Sequence, residues 1–312
     1  MSGAPRLRFA GKIYGTGADY WIAVGSVPTS EEDSKDQTIE ARGKGVNETV
    51  FWVTDNLLND WIQLPDCRPQ DIISARSIKH IFTGNLNADV DTNPPFAGKE
   101  RHLLRAQLAR IFHATALVPK GLFETDEETG LPKFSEEFTF PKTDALKEFD
   151  SWCNVHEQIL FAGRCEHLQP EVQGEEDPEA AMAALLEKDP KADRFRVITE
   201  HAPVRTNEQD SPAWTSKVVG DAQLFSDQGA EGGDPVSYAV NVIKSVRWPG
   251  SVTVSKGGKC TTVYVGYGLK KGDPSYNPTQ PPNVCADPSE IAEMFEPHEE
   301  EKKAAEVVEE DP

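Results

Sequence analysis

Basic residues are in short supply in this chain: 32 Lys+Arg stand against 52 Asp+Glu in 312 residues, a net charge of −20. A surplus of that sign is repelled by phosphate backbones and anionic lipid, which argues against nucleic-acid binding or membrane docking as the main activity. Long apolar runs are missing as well. No stretch approaches the roughly 18 apolar residues of a membrane span, and Met1 to Phe9 lacks the apolar run of a secretory signal. Cysteine is sparse and odd in number (Cys67, Cys153, Cys165, Cys260, Cys285), so no disulfide framework is expected and a reducing intracellular compartment is. Without a secretory route, the glycosylation pattern Asn47-Glu48-Thr49 carries no weight.

Catalytic signatures are absent too. The chain holds no Gly-x-Ser-x-Gly elbow, no His-Glu-x-x-His, no phosphate-binding Gly-x-x-x-x-Gly-Lys loop and no EF-hand pattern. Gly15-Thr16-Gly17 matches only the first part of a dinucleotide fingerprint. The third glycine position holds Tyr20, and the residues that follow read as a strand, so a strand–turn–strand is expected. Cys153, His156, Cys165 and His167 are the sharpest chemical candidates, since two thiolates and two imidazoles can close a tetrahedral zinc site. That arrangement needs Cys153 and His156 on one helix, and Cys165-x-His167 is tight for a zinc pair. A core cysteine beside a rim histidine is the plainer expectation, so no metal, cofactor or catalytic residue is assigned.

What is present is strand pattern with two strong helical stretches. Leu7 to Tyr14 and Asp19 to Val27 read as a hairpin, with both faces of the second strand apolar and therefore covered. Ser30 to Gly45 reads as a polar flexible loop. Thr49 to Thr54 and Trp61 to Leu64 continue the strand pattern, and Pro69 to Arg76 reads as a short helix with Ile72 and Ile73 inward. The clearest helix is Lys99 to Thr115. Leu104, Leu108, Ile111 and Thr115 form one stripe, while Arg101, Arg105 and Arg110 project elsewhere, a basic face suited to an acidic partner or to solvent. A second helix is predicted over Asp144 to Phe161, capped by Thr143 and ended by Gly163.

Glu124 to Glu137 reads as a polar connection, and Glu166 to Asp193 as an acidic, Ala-rich insertion. Strands are expected at Arg194–Thr199, Trp214–Val219, Tyr238–Ser245, Ser251–Ser255 and Thr261–Gly268. Lys256-Gly-Gly-Lys259 supplies a hairpin turn. Trp248-Pro249-Gly250 is expected to bend the chain and point Trp248 inward. The six tryptophans are scattered as core and interface anchors. Pro274 to Pro282 reads as extended surface chain, and Glu296 to Pro312, with eight acids and two lysines, as an acidic disordered tail. The fold class is thus α+β: one antiparallel, β-rich domain over residues 7–286 with two main helices and polar loop insertions (the acidic one at about 166–193), followed by a tail over 287–312.

Six ordered strings together resemble the radial spoke head protein family, components four and six of the axonemal radial spoke head. They are Phe9-Ala-Gly-Lys-Ile-Tyr-Gly-Thr-Gly-Ala-Asp-Tyr-Trp-Ile-Ala23; Phe51-Trp-Val-Thr-Asp-Asn56 with Trp61-Ile-Gln-Leu-Pro65; Ile81-Phe-Thr-Gly-Asn-Leu86 with Pro94-Pro-Phe-Ala-Gly-Lys-Glu100 and Leu104-Arg-Ala-Gln-Leu-Ala-Arg-Ile111; Leu160-Phe-Ala-Gly-Arg-Cys165; Arg247-Trp-Pro-Gly250; and Tyr264-Val-Gly-Tyr-Gly268. Component nine shares the first hairpin and Trp-Pro-Gly, whereas the Phe-Thr-Gly and Leu-Arg-Ala-Gln block favours components four and six. Larger members carry a helical extension before the first strand, which here comes almost at once.

The resemblance implies a structural component in the cytoplasm, cytoskeleton and axoneme of the cilium or flagellum. Such a subunit contacts central-pair projections and helps regulate dynein-driven motility. The implied partners are component nine, a family paralogue or second copy, MORN-repeat head subunits and the stalk scaffold, with no nucleic acid, membrane or cofactor. A zinc-binding module and a non-ciliary adaptor of the same fold are the alternatives.

Overall fold

The alternation of Tyr20, Ile22 and Val24 with Trp21, Ala23 and Gly25 forces a strand with one buried face. That strand lies near the middle of the largest sheet. A computed structural model describes residues 7–26, 40–126, 132–143, 145–155, 194–198, 213–220, 224–225 and 236–271. In chain order these hold β1 (Leu7–Ile13), β2 (Tyr20–Ser26), β3 (Thr49–Thr54), β4 (Ile62–Gln63), α1 (Pro69–Ser77), α2 (Glu100–Thr115), β5 (Leu117–Pro119), β6 (Phe123–Thr125), β7 (Pro132–Phe134) and β8 (Trp152–Val155). They are followed by β9 (Phe195–Val197), β10 (Trp214–Val219), β11 (Leu224–Phe225), β12 (Val236–Ser237), β13 (Val240–Ser245), β14 (Ser251–Lys256) and β15 (Lys259–Gly266).

The main sheet runs β10-β13-β14-β15-β1-β2-β3-β4. Every neighbouring pair is antiparallel except β1 and β15, which lie parallel with Gly11 opposite Tyr264. A smaller sheet, β5-β8-β9, and the ladders β6-β7 and β11-β12 complete the strands. The architecture is α+β and antiparallel-rich, as the sequence pattern predicts. No described helix is long and apolar enough to cross a membrane.

α1 and α2 cover the inner face of β1, β2 and β3. Ile13, Tyr20, Ile22, Phe51 and Val53 meet Ile72, Leu103, Leu104, Leu108 and Ile111 in one cluster. The outer face of β2 is only half-covered. There Phe9 and Trp21 lie 6.0 Å apart, with the Lys12 ammonium 4.6 Å from the Trp21 ring. A second cluster joins Leu117, Leu146, Trp152, Ile198 and Ile243.

Several expectations are overturned. Residues 145–155 are not helical: Ala145–Lys147 and Phe149–Ser151 are 3-10 turns, and Trp152–Val155 is β8. Cross-chain pairing wins over local helical spacing, because Val118 opposes Cys153 on one side and Val197 opposes it on the other. The indole of Trp152 donates back to the Leu146 carbonyl at 2.9 Å, tying the turns to the strand. Residues 156–161 of the expected helix, and its Gly163 terminus, lie outside the described residues.

Ile73 is exposed, so α1 turns only Ile72 inward. The expected connection 124–137 contains the β6-β7 hairpin, held by Phe123 and Phe134 at 4.6 Å. The end of the expected loop is anchored: Glu40 is buried and accepts a 3.0 Å bond from the Val46 amide. The acidic insertion, the Pro274–Pro282 segment and the tail lie outside the described residues.

Candidate functional site: a carboxylate clasp and the buried arginines

Glu100 opens α2 and is completely buried. A carboxylate there gains from the positive end of the helix dipole, yet its charge still requires donors. Four are in place. The Tyr20 hydroxyl donates to Oε1 at 2.7 Å, the Gly84 amide to Oε1 at 3.0 Å, and the Thr83 hydroxyl and amide to Oε2 at 2.8 and 2.9 Å. His80 Nε2 stands 3.7 Å from Oε2. Burial, then the Glu100 bond and charge, raises the Tyr20 phenol far above its ordinary value, so it serves only as a donor.

The loop that Glu100 grips also grips the first turn. The amides of Thr16 and Gly17 donate to the carbonyls of Phe82 and Thr83 at 2.9 and 3.0 Å. Gly84 holds φ +90°, and a Cβ there would stand 2.3 Å from the Ala18 carbonyl oxygen, so only glycine fits this crossing. Phe82 packs edge-on against Tyr20 at 6.4 Å. The Tyr264 hydroxyl accepts the Gly268 amide at 2.8 Å, and Gly268 closes over Phe82. Strings far apart in the chain thus meet here: the first hairpin and Thr83-Gly84 at the Glu100 carboxylate itself, and Tyr264 to Gly268 one layer away, against Phe82.

Arg105 and Arg110 do not form a basic face; both are buried. Arg105 Nη2 donates to the carbonyls of Val46 and Thr49 at 2.9 and 3.0 Å and lies over the Phe51 ring. Arg110 Nη1 donates to the Ala75 carbonyl and to Gln107 Oε1, both at 2.9 Å, and lies 5.2 Å over the Trp248 ring. The forked guanidinium explains the inversion, since its several donors can satisfy carbonyls of a 3-10 turn, of β3 and of α1 at once. Arg101 is half-buried and donates to the Leu86 carbonyl at 3.3 Å. Trp248 is buried at the expected bend, where Gly250 has φ +106° and its virtual Cβ would sit 2.2 Å from the Val265 carbonyl oxygen.

None of these groups is arranged for reaction. Glu100 is consumed by its donors. Burial pushes the thiols of Cys67 and Cys260 up to about 12, so neither offers a thiolate near neutral pH. Of the zinc candidates, Cys153 sits buried in a strand, which removes the shared helix turn with His156; His156, Cys165 and His167 lie outside the described residues. Among the described residues no group of His, Cys, Asp and Glu is placed to hold a metal ion. Gly15-Thr16-Gly17 forms a turn between β1 and β2, closed by the Gly15 amide on Asp19 Oδ1 at 3.1 Å. Of the tryptophans, Trp52, Trp152 and Trp248 are core, while Trp61 is exposed beside Ile62, Leu57 and Leu58.

The clasp was missed because a lone glutamate at a helix start reads as dipole complement. Its signal was that Thr83-Gly84 and Lys99-Glu100 fall together in the string that resembles the family most distinctively.

The family described as "Radial spokehead-like protein" matches residues 34–303. Radial spoke head protein 6 homolog A of Xenopus tropicalis is 32% identical over 254 residues, covering 77% of this chain and 46% of the relative. Flagellar radial spoke protein 4 of Chlamydomonas reinhardtii is 29% identical over 305 residues, 89% of this chain and 61% of the relative. Human radial spoke head protein 4 homolog A is 31% identical over 280 residues, 83% and 37% respectively. The chain therefore spans between about a third and three fifths of the length of these relatives. The family match over residues 34–303, with relatives about 30% identical across most of the chain, makes this chain a member of the radial spoke head protein family.

Proposed function

We propose that this protein is a non-catalytic structural subunit of the radial spoke head in the axoneme of motile cilia and flagella, meeting central-pair projections and helping regulate dynein. The family match over residues 34–303 carries the reading. The burial of Glu100 and Tyr20 supports it, since both groups are engaged in holding segments together. Its partners in this reading are spoke-head component nine, a family paralogue or second copy, MORN-repeat head subunits and the stalk scaffold. The net charge of −20 suits brief contacts with basic protein surfaces, where electrostatics sets association rate more than affinity. The domain in this reading covers 7–286, with 287–312 as an appended tail; limited proteolysis that spares 287–312 while cutting inside 7–286 overturns that boundary.

The test is removal and recovery in a ciliated cell. The tagged protein is expected to co-sediment with axonemes together with spoke-head subunits, and its loss to leave cilia assembled but stiff or irregular in beat. Normal motility in a complete knockout, or a tagged protein confined to the soluble pool, overturns the assignment.

A further inference from the structure

A cavity of about 940 Å³ lies apart from the Glu100 clasp, between the β14-β15 hairpin and the segment around β5. Its wall is apolar: Leu117, Leu122, Phe123, Phe134 and Phe140. Phe134 is 63% exposed although it stacks on Phe123, so the wall opens to solvent. The charge of the lining runs against the rest of the chain. Arg8, Lys256 and Lys259 contribute three cations, and no described lining residue is a carboxylate, in a chain with twenty more acids than bases.

The floor of the cavity is a strand edge. β15 pairs with β14 from Lys259 to Tyr264, but with β1 only from Tyr264 to Gly266. A register shift interrupts β1 between Phe9 and Gly11, and the residues before it ladder only with β2. Among the described residues no strand therefore pairs with Cys260 to Val263 on that side. Arg8 instead sends its guanidinium to the Thr262 carbonyl at 3.3 Å, and the Cys260 thiol points to the Leu117 carbonyl at 3.8 Å. The edge is thus bordered by Arg8 and by β5 but carries no ladder there, and an unladdered edge beside an apolar hollow is geometry that can accept an added strand: backbone bonds give affinity, and alternate side chains enter the hollow.

We propose that this cleft binds an extended acidic segment of a partner polypeptide, with aliphatic or aromatic side chains at alternate positions. The apolar side chains fill the space between Phe123, Phe134 and Phe140, while the intervening carboxylates meet Lys256, Lys259 and Arg8. The charge complementarity selects the partner, because a neutral or basic strand would leave three cations facing no counter-charge. The inference does not depend on the assembly in which the protein works.

Calorimetric titration of the full chain with a synthetic peptide alternating glutamate with leucine and phenylalanine tests it. Saturable binding is expected, falling about tenfold or more in a Lys256→Glu/Lys259→Glu variant and weakening as salt is raised from about 0.1 M to 1 M. Phe134→Ala removes an apolar wall without changing charge, and is expected to weaken binding while the far-UV circular dichroism spectrum at the assay temperature stays that of the unmodified protein. A peptide with lysine in place of every glutamate should not bind. Absence of saturable binding by the unmodified protein, or equal binding by the charge-reversed variant or of the lysine peptide, overturns the proposal. So does saturable binding of laurate with none of the peptide, which would make the cleft an acyl-chain site.

Discussion

Two buried regions of this protein differ in scale and in the polar groups they hold. Under β1 to β3 the core is extensive, with the charged side chains Glu100, Arg105 and Arg110 buried and bonded among aliphatic ones. Around β8 the apolar cluster is small (Leu117, Leu146, Trp152, Ile198 and Ile243), and the polar side chains buried beside it include the neutral amides of Asn154 and Asn241, which donate to the Ala114 and Leu146 carbonyls. The first gains specificity from groups that accept only one arrangement, because a misplaced donor leaves a charge buried and unpaired. The second rests on packing and on short ladders, so it is expected to open before the first.

The largest break in that contrast comes from Glu100→Ala. It strands the Tyr20 hydroxyl, the Thr83 amide and hydroxyl and the Gly84 amide, each buried or half-buried. At about 1–3 kcal/mol for each unsatisfied buried group, a loss of at least about 4 kcal/mol is expected in urea unfolding. Glu100→Gln keeps two acceptor lone pairs and should lose less. A cost below about 1 kcal/mol for the alanine variant would show that the carboxylate is not what joins these segments.

Trp248→Ala is next. The ring is buried at a bend and lies beneath the Arg110 guanidinium, so the cavity term and the lost cation–π contact add, for about 3–5 kcal/mol. An effect below about 1 kcal/mol would mean that the site collapses without strain.

The same contrast decided what the sequence could reveal. The β1-β2 hairpin, α2, the β14-β15 hairpin and the Trp248 bend were legible because local period and turn residues agree with the tertiary fold. β8 was not: Leu146, Phe149, Trp152 and Cys153 fit a helical stripe, and only pairing with Val118 and Val197, distant in the chain, makes them turns and a strand. The buried arginines were illegible for another reason. Hydropathy places Arg outside, whereas Arg105 and Arg110 serve carbonyls of Val46, of the first residue of β3 and of α1 that no periodicity reports. The family strings were legible as strings, while the contacts that several of them make around the Glu100 clasp were not.

The smaller core gives the third expectation. Ile243→Val removes one methylene from a fully buried side chain beside Trp152, at a cost of about 1 kcal/mol. Hydrogen exchange should show faster opening of β8 and β13 amides with the β2 and β3 amides unmoved. Uniform loss of protection across both regions would merge the two cores into one cooperative unit.

The weakest expected effect lies at the rim of the larger core, where Lys12 and Asp19 pair at 2.6 Å with partly exposed side chains. The hydrogen bond from Lys12, then the Gly15 amide, holds the Asp19 carboxyl below its ordinary value. A depressed folded value means the contribution is present above the unfolded carboxylate value of about 3.9 and fades as pH falls through the folded one. Solvent screens a pair this exposed, so Asp19→Asn is expected to cost less than about 1 kcal/mol near neutral pH and less still in high salt. The difference between the variant and the unmodified protein should shrink below about pH 4, as the carboxyl of the unfolded chain protonates first and that of the native state only at lower pH. A difference that instead grew on acidification would reverse the sign of the coupling, and would place the stabilising proton on Asp19 and not on its partner.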